Sequence, residues 1–316
     1  MYPKIYPKRL HLELTSCCNY RCLMCAHGYN SFGKSISSVV KSTIINELIP
    51  HATQMELQGT GESLLYDGLG DIIEAGEKYN CEMIIITNAS LLDRGKMLML
   101  TNAGCQIVIS MDSPIKSTYE KIRINGDFDK VCNNLDYWKY LKNSMMEDHR
   151  AYFSINMVLC SLNYMQLIEM IDFSIDNCAE YLFVSEVRPC VLDEISWSKL
   201  TLEKIKETEE FKKMINDAQR YAEQKQFKII FNFITDIKKE HLRNICLSPW
   251  EHVFIFASGD VSVCCEVPQI FGNLNENDFD SIWNGVKLNK FRVSMAVGEY
   301  NNKCKACCLQ WGITHG

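Results

Sequence analysis

The sequence predicts an α/β fold, a partial six-stranded (β/α)6 barrel of parallel strands followed by a small β-hairpin and helix domain rich in cysteine. Three observations carry this expectation. Apolar runs of strand length alternate with amphipathic stretches from residue 9 to residue 187. The alternation stops after the sixth strand, short of the eight that a closed barrel of about 250 residues requires. Beyond residue 190 it gives way to a charged helix and a hairpin flanked by cysteines.

The elements follow in order. Residues 9–15 alternate as a strand, and "SISSVVKSTIINELIP" is a helix opened by a Ser cap and closed by Pro50. "QMELQ" (54–58), "EMIIIT" (82–87), "QIVISM" (106–111), "YFSINMVL" (152–159) and "YLFVSEV" (181–187) complete the six strands. The stretches near 66–79, 92–103, 127–142 and 163–177 are the helices between them. Parallel strands joined this way take right-handed crossovers and leave the active site at their carboxyl ends. "LEKIKETEEFKKMINDAQRYAEQKQ" mixes both charge signs at helical spacing, as a solvated helix does, and "FKIIFNF" is one further strand. A boundary near residue 235 separates a barrel domain, 1–235, from a C-terminal domain, 236–316.

Composition narrows the function. Of 316 residues, 47% are apolar and 23% charged, with 33 basic against 39 acidic side chains dispersed along the chain, which disfavours nucleic-acid binding. No apolar run is long enough to cross a bilayer, and "MYPKIYPKRLHLELT" has no apolar export core, so no membrane partner and a cytoplasmic location are expected. In that reducing compartment, sixteen cysteines point to metal ligation or catalysis rather than disulfides.

"TSCCNYRCLMCAHG" places Cys18, Cys22 and Cys25 in C-x3-C-x2-C spacing on the loop leaving the first strand. Three thiolates can hold three irons of a [4Fe-4S] cluster and leave the fourth open to a chelating small molecule. The competing zinc knot needs adjacent Cys17 and Cys18 on one tetrahedral ion, for which neighbours are poorly placed.

Over most of residues 9–190 the sequence resembles the radical S-adenosylmethionine (SAM) superfamily, whose signature is this spacing after strand one. The resemblance implies that the open iron chelates the amino and carboxylate groups of SAM, which an electron then cleaves to a 5′-deoxyadenosyl radical. Met24 stands where the family usually has an aromatic residue packing around the adenine. "LQGTGESLL" resembles the family's GGE motif, which implies that Gly59 and Gly61 let backbone approach a ligand closely and that Glu62 accepts from the SAM ammonium, with a plain strand-to-helix turn as the competing reading of "GTGE". "ITNAS" and "ISMDSP" bring Asn88, Ser110 and Asp112 to the same barrel face, Ser110 matching the serine that binds the SAM ribose, with helix capping as the competing role for Asn88 and Asp112. Arg123, in "YEKIRINGDFDKV", resembles the arginine that pairs with the SAM carboxylate. A surface arginine is the competing reading.

In the tail, Cys246, Cys264, Cys304 and Cys307 resemble the ligands of a twitch domain, a shortened SPASM domain with one auxiliary cluster, giving two [4Fe-4S] clusters in all. Structural zinc is the competing occupant. Cys81, Cys105, Cys132 and Cys178 sit in apolar patterns as core residues. Cys160, Cys190, Cys265 and Cys308 are candidate hydrogen-atom donors. The expected reaction is hydrogen abstraction from a substrate carbon and net dehydrogenation of a sugar or aminocyclitol in secondary metabolism, with electrons from an external donor such as flavodoxin or ferredoxin. The short stretch before the cluster loop tilts the expectation toward a small molecule. Epimerisation and maturation of a ribosomal peptide are alternatives with the same clusters. A non-catalytic iron-sulfur electron carrier is the alternative from another class.

Overall fold

In the computed structural model the alternating runs are strands because every second side chain can be buried against helices while its neighbours face the other way. The structure describes residues 5–25, 33–144, 151–187, 194–233, 246–264, 269–301 and 304, without the side chains of 194–196. Among them the strands are β1 (Arg9–Leu12), β2 (Arg21–Cys22), β3 (Gln54–Leu57), β4 (Glu82–Thr87), β5 (Gln106–Ser110), β6 (Arg123–Ile124), β7 (Tyr152–Leu159), β8 (Tyr181–Glu186), β9 (Lys228–Asn232), β10 (His252–Ile255), β11 (Asp260–Ser262) and β12 (Gly272–Asn273). The chain forms two compact units, one of residues 1–17, 33–84 and 234–316, the other of 18–32 and 85–233. No described helix is long and apolar enough to cross a membrane.

In the first unit β1 lies between β10 and β3 and runs parallel to both, with Leu10 opposite Val253 on one side and Met55 on the other. Leu10, Leu12, Met55, Leu57, Val253 and Ile255 are buried together with Val40, Ile44 and Leu48 of the first helical segment. The helix Leu69–Lys78 approaches so closely that a Cβ on Gly76 would stand 2.4 Å from the Met55 methyl. The C-terminal hairpin expected from "VFIFASGDVSVCC" is present: β11 runs antiparallel to β10, and the turn between them uses Gly259 at φ +88°, a left-handed conformation that suits glycine. The pairing of β10 with β1 was not expected from the sequence. A partial barrel leaves β1 with an unpaired edge, and β10 covers it.

In the second unit β5, β7, β8 and β9 follow one another in parallel, with Ser110 opposite Asn156, Ile155 opposite Leu182 and Tyr181 opposite Lys228. "FKIIFNF" thus extends the parallel sheet by one strand. Asp127 opens the helix Phe128–Lys142 by accepting from the Lys130 amide at 2.9 Å, and Trp138 of that helix packs on Phe153 of β7. β2 and β6 form a separate two-stranded antiparallel ladder pairing Arg21 with Ile124 and Cys22 with Arg123.

Candidate active site

β1 ends in "LELT", where alternation buries Leu12 and Leu14 and sets Glu13 on the opposite face. The Glu13 carboxylate is itself buried, and three donors satisfy it: the Thr60 amide at 2.8 Å and Thr60 hydroxyl at 2.7 Å on Oε1, and the Ala257 amide at 3.0 Å on Oε2. Thr60 sits inside the Gly59–Glu62 loop. A Cβ on Gly59 would stand 2.4 Å from Glu13 Cγ, and one on Gly61 would stand 2.1 Å from the Thr15 carbonyl oxygen. The sequence reading gave these glycines a ligand to approach. The spaces where their Cβ atoms would stand are taken up by the chain's own segment leaving β1. Glu62 is buried; its amide donates to the Cys17 carbonyl at 2.8 Å, and its carboxylate accepts from the Leu64 amide at 3.2 Å. A Cβ on Gly33 would stand 2.4 Å from the Cys17 sulfur. Cys17 therefore packs closely against the backbone at residue 33.

The three cysteines of the motif lie in the second unit. Cys22 is in β2, Cys18 Sγ accepts from the Tyr20 amide at 3.4 Å, and the Cys25 amide donates to the Cys22 carbonyl at 3.1 Å. The Leu23 amide donates to the Ile122 carbonyl at 2.9 Å, so the ladder with β6 fixes the middle of the loop. Asn19, which the sequence reading passed over, ties down its start. Its side chain donates to Ser90 Oγ at 2.8 Å and accepts from Asn88 at 3.0 Å, and the Asn88 oxygen in turn accepts from the Ser90 amide at 3.0 Å. Asn88 thus closes a local turn and braces the loop, while Asp93, not Asn88, caps the helix Arg94–Asn102.

Arg123 is buried beside Cys22. Its Nη1 lies 3.9 Å from Cys22 Sγ, and its Nη2 lies 2.7 Å from Asp112 Oδ2. Asp112 is 0% exposed, and its Oδ1 also accepts from the Val158 amide at 2.9 Å. Arg123 is therefore no surface arginine. Burial alone would lower its pKa, and the Asp112 and Cys22 charges outweigh burial and hold it above its ordinary value. Burial raises Asp112 from its ordinary value against the pull of the guanidinium and the Val158 amide. The Cys22 thiol is pushed up to about 12, by burial first, with Arg123 pulling the other way and Asp112, Cys25 and Cys18 adding to the rise.

The remaining expected residues scatter. Met24 and Leu23 pack on an apolar cluster of Ile122, Cys160, Val187 and Leu200, joined by Trp197. Cys160 is 1% exposed. Ser110 ends β5 half-buried. In the first unit Cys246, Cys264 and Cys304 are unbridged and partly buried; burial first and the Cys246 charge second raise the Cys304 thiol, and its amide donates to Asn301 Oδ1 at 2.8 Å. Cys190, Cys265, Cys307 and Cys308 lie outside the described residues. Glu186, the last residue of β8, is buried and paired with Lys206 at 2.5 Å.

The donor set suits an iron-sulfur cluster. Among the described residues no three His, Cys, Asp or Glu side chains gather tightly enough for a single metal ion. A cubane engages each thiolate at its own iron, and Cys18, Cys22 and Cys25 are near enough to influence one another's charge. Arg123 Nε is buried with no hydrogen-bond partner among the described residues, a donor suited to a carboxylate.

Comparison with known proteins agrees with this chemistry. The radical SAM superfamily profile matches residues 12–173, and the SPASM profile, described as an iron-sulfur cluster-binding domain, matches residues 246–308. An uncharacterised protein of Archaeoglobus fulgidus is 26% identical over 167 residues, 52% of this chain; the match spans only 37% of that protein's length. The AdoMet-dependent heme synthase of Methanosarcina barkeri is 22% identical over 331 residues, covering 95% of this chain and 88% of its own. Streptococcus suis SuiB bound to S-adenosylmethionine superposes with a TM-score of 0.70 at 17% identity, over 96% of this chain and 72% of SuiB, and shares its fold. With more than half of its length matched by one family profile, the chain belongs to the radical SAM superfamily, with a [4Fe-4S] cluster and SAM as cofactors and further iron-sulfur binding in its C-terminal region.

Proposed function

We propose that this radical SAM enzyme abstracts a hydrogen atom from an unactivated carbon of a sugar or aminocyclitol and completes a net two-electron oxidation. The single observation that carries the first cluster's place in this reading is the fixed cysteine loop: Cys22 is locked in the β2–β6 ladder with a buried guanidinium at its sulfur. Bound there, a cluster and SAM supply an electron and a 5′-deoxyadenosyl radical, and a second cluster supplies a one-electron acceptor.

The chain's own residues bind and orient. Cys18, Cys22 and Cys25 hold the first cluster. In the second unit Arg123 Nε is the donor for the SAM carboxylate and Ser110 the partner for its ribose; the amino-group role of Glu62 rests on the resemblance of its loop to the family motif alone. Met24 keeps the apolar wall beside the loop closed to water. Cys246, Cys264, Cys304 and Cys307 hold the second cluster in the C-terminal domain. Fully ligated by cysteine, that cluster has no open iron for substrate, which favours electron transfer as its task.

The test starts with anaerobic reconstitution, expected to give about eight irons per chain at four per cluster. Replacing Cys18, Cys22 and Cys25 together by Ala is expected to remove one cluster and all 5′-deoxyadenosine. Replacing Cys246 and Cys304 by Ala is expected to remove the other while uncoupled SAM cleavage survives. Deoxyadenosine from the triple variant would sink the first assignment, and unchanged iron with lost zinc would sink the second. A peptide substrate is the second reading, favoured by the structure of SuiB with its precursor peptide, which covers 97% of this chain. Turnover of a peptide with no cyclitol oxidation would establish it.

A further inference from the structure

We propose that Asp112 and Arg123 form a buried charge pair that sets the electron affinity of the centre held at Cys22, the guanidinium facing the sulfur and the carboxylate backing the guanidinium. The inference rests on the reading that Cys18, Cys22 and Cys25 hold the first cluster. It goes beyond a role for Arg123 in gripping SAM, because it acts before SAM is bound.

The geometry divides the guanidinium among distinct tasks. Nη2 is committed to Asp112 at 2.7 Å and Nη1 points to the Cys22 sulfur at 3.9 Å, leaving Nε for a third partner. The pair is held from both ends. Asp112 is pinned by the Val158 amide on Oδ1 at 2.9 Å and, through its backbone carbonyl, by the Asn163 side chain at 2.7 Å. Arg123 is pinned by its place opposite Cys22 in the ladder, and its guanidinium lies 6.0 Å from the centre of the Tyr119 ring. Neither side chain can swing away without breaking these contacts.

Charges so far from water act strongly on a neighbouring redox centre. A donor aimed at a ligand sulfur stabilises the reduced, more negative state, and hydrogen bonds and charge around the ligands are established levers on cluster potential. Asp112 opposes that pull. It keeps the region near neutral, so that the cluster remains a strong reductant while its loop stays braced by a cation. The two residues should therefore act on the potential with opposite signs, which a merely structural pair would not do.

The experiment is a redox titration of reconstituted, SAM-free holoenzyme followed by the electron paramagnetic resonance of the reduced first cluster, in a background lacking Cys246 and Cys304 so that only that cluster is read. Asp112→Asn leaves the guanidinium unbalanced, and its potential is expected to move to less negative values. Arg123→Gln leaves the carboxylate unbalanced, and its potential is expected to move to more negative values. Each shift should reach about tenfold in the reduced-to-oxidised ratio, ~59 mV for one electron, and the double variant should return toward the parent. Shifts of the same sign, or unmoved potentials with weakened SAM binding alone, would overturn the proposal. Where a single variant fails to fold, hyperfine spectroscopy of the enzyme carrying 15N-arginine decides, in an Arg21→Lys background because the Arg21 guanidinium also lies in the cysteine loop, 2.7 Å from the Cys18 carbonyl: a guanidinium coupling to the reduced cluster is expected without SAM, and its absence overturns the proposal. Failure of the underlying reading looks different, since the parent would then hold no cysteine-dependent reducible cluster.

Discussion

The Glu13 carboxylate accepts the Ala257 amide at 3.0 Å, joining the end of the first strand to the turn of the C-terminal hairpin. Its other oxygen holds Thr60, between the two glycines of the candidate SAM loop. All three donors point at acceptor lone pairs, so Glu13→Gln must turn one N–H group toward another. An unmet buried donor costs about 1–3 kcal/mol, and the variant is expected to lose about 2 kcal/mol of unfolding free energy in a urea titration. If ~1.4 kcal/mol of that is loop order needed for ligand binding, SAM affinity measured by calorimetry falls about tenfold. Unchanged stability and affinity would remove Glu13 from the site.

Gly61 makes the complementary case, in which space rather than charge decides. Its Cβ would stand 2.1 Å from the Thr15 carbonyl oxygen and 2.6 Å from that of Cys17, both backbone atoms that cannot rotate aside. Gly61→Ala is expected to cost about 1–3 kcal/mol through overpacking, more than the 0.4–1 kcal/mol or so returned by a stiffer unfolded chain. Iron loading should fall with it, because the displaced segment leads directly into Cys18. Gly95→Ala is the control. It lies in the first turn of the helix Arg94–Asn102 with only Asp93 Oδ1 at 3.3 Å from the new methyl, and a melting temperature at or above the parent's is expected.

The strands were legible because alternation records burial locally: "EMIIIT" and "YFSINMVL" are β4 and β7 with the bounds read from the sequence. Two-residue strands such as β2 and β6 are too short to carry a period, so the ladder that locks Cys22 was not visible. The partnership of β10 with β1, and that of Asp112 with Arg123, depend on which distant segments meet, and no local pattern records that. Of the candidate site, the cysteine spacing was readable because it is local in the sequence. Glu13 carried a weaker signal, an acidic residue in an otherwise apolar strand end. Asn19 carried one too, an amide between two cysteines of the motif.

Cys160 decides part of the reaction branch. Epimerisation needs a thiol that reaches the substrate radical and returns a hydrogen atom, whereas Cys160 is sealed among Ile122, Val187 and Leu200, 1% exposed. Burial pushes its thiol up to about 11, so it stays protonated near neutrality. Cys160→Ala is expected to retain product formation within about twofold and to lose about 1 kcal/mol of stability, the scale of one buried group. The thiol's raised value also fixes a pH effect. A thiol buried neutral gives no penalty below its ordinary value of 9.0, and stability drains away as pH rises from there through about 11, where the unfolded chain has already released the proton. The Cys160→Ala variant should therefore show a shallower alkaline loss than the parent in denaturation curves run from pH 8 to 11. With the true substrate in D2O, the oxidative reading requires a carbonyl product without carbon-bound deuterium. An isomer of unchanged oxidation state carrying one deuterium, together with loss of that product in Cys160→Ala while the iron content holds, would replace oxidation by epimerisation and make Cys160 its donor after all.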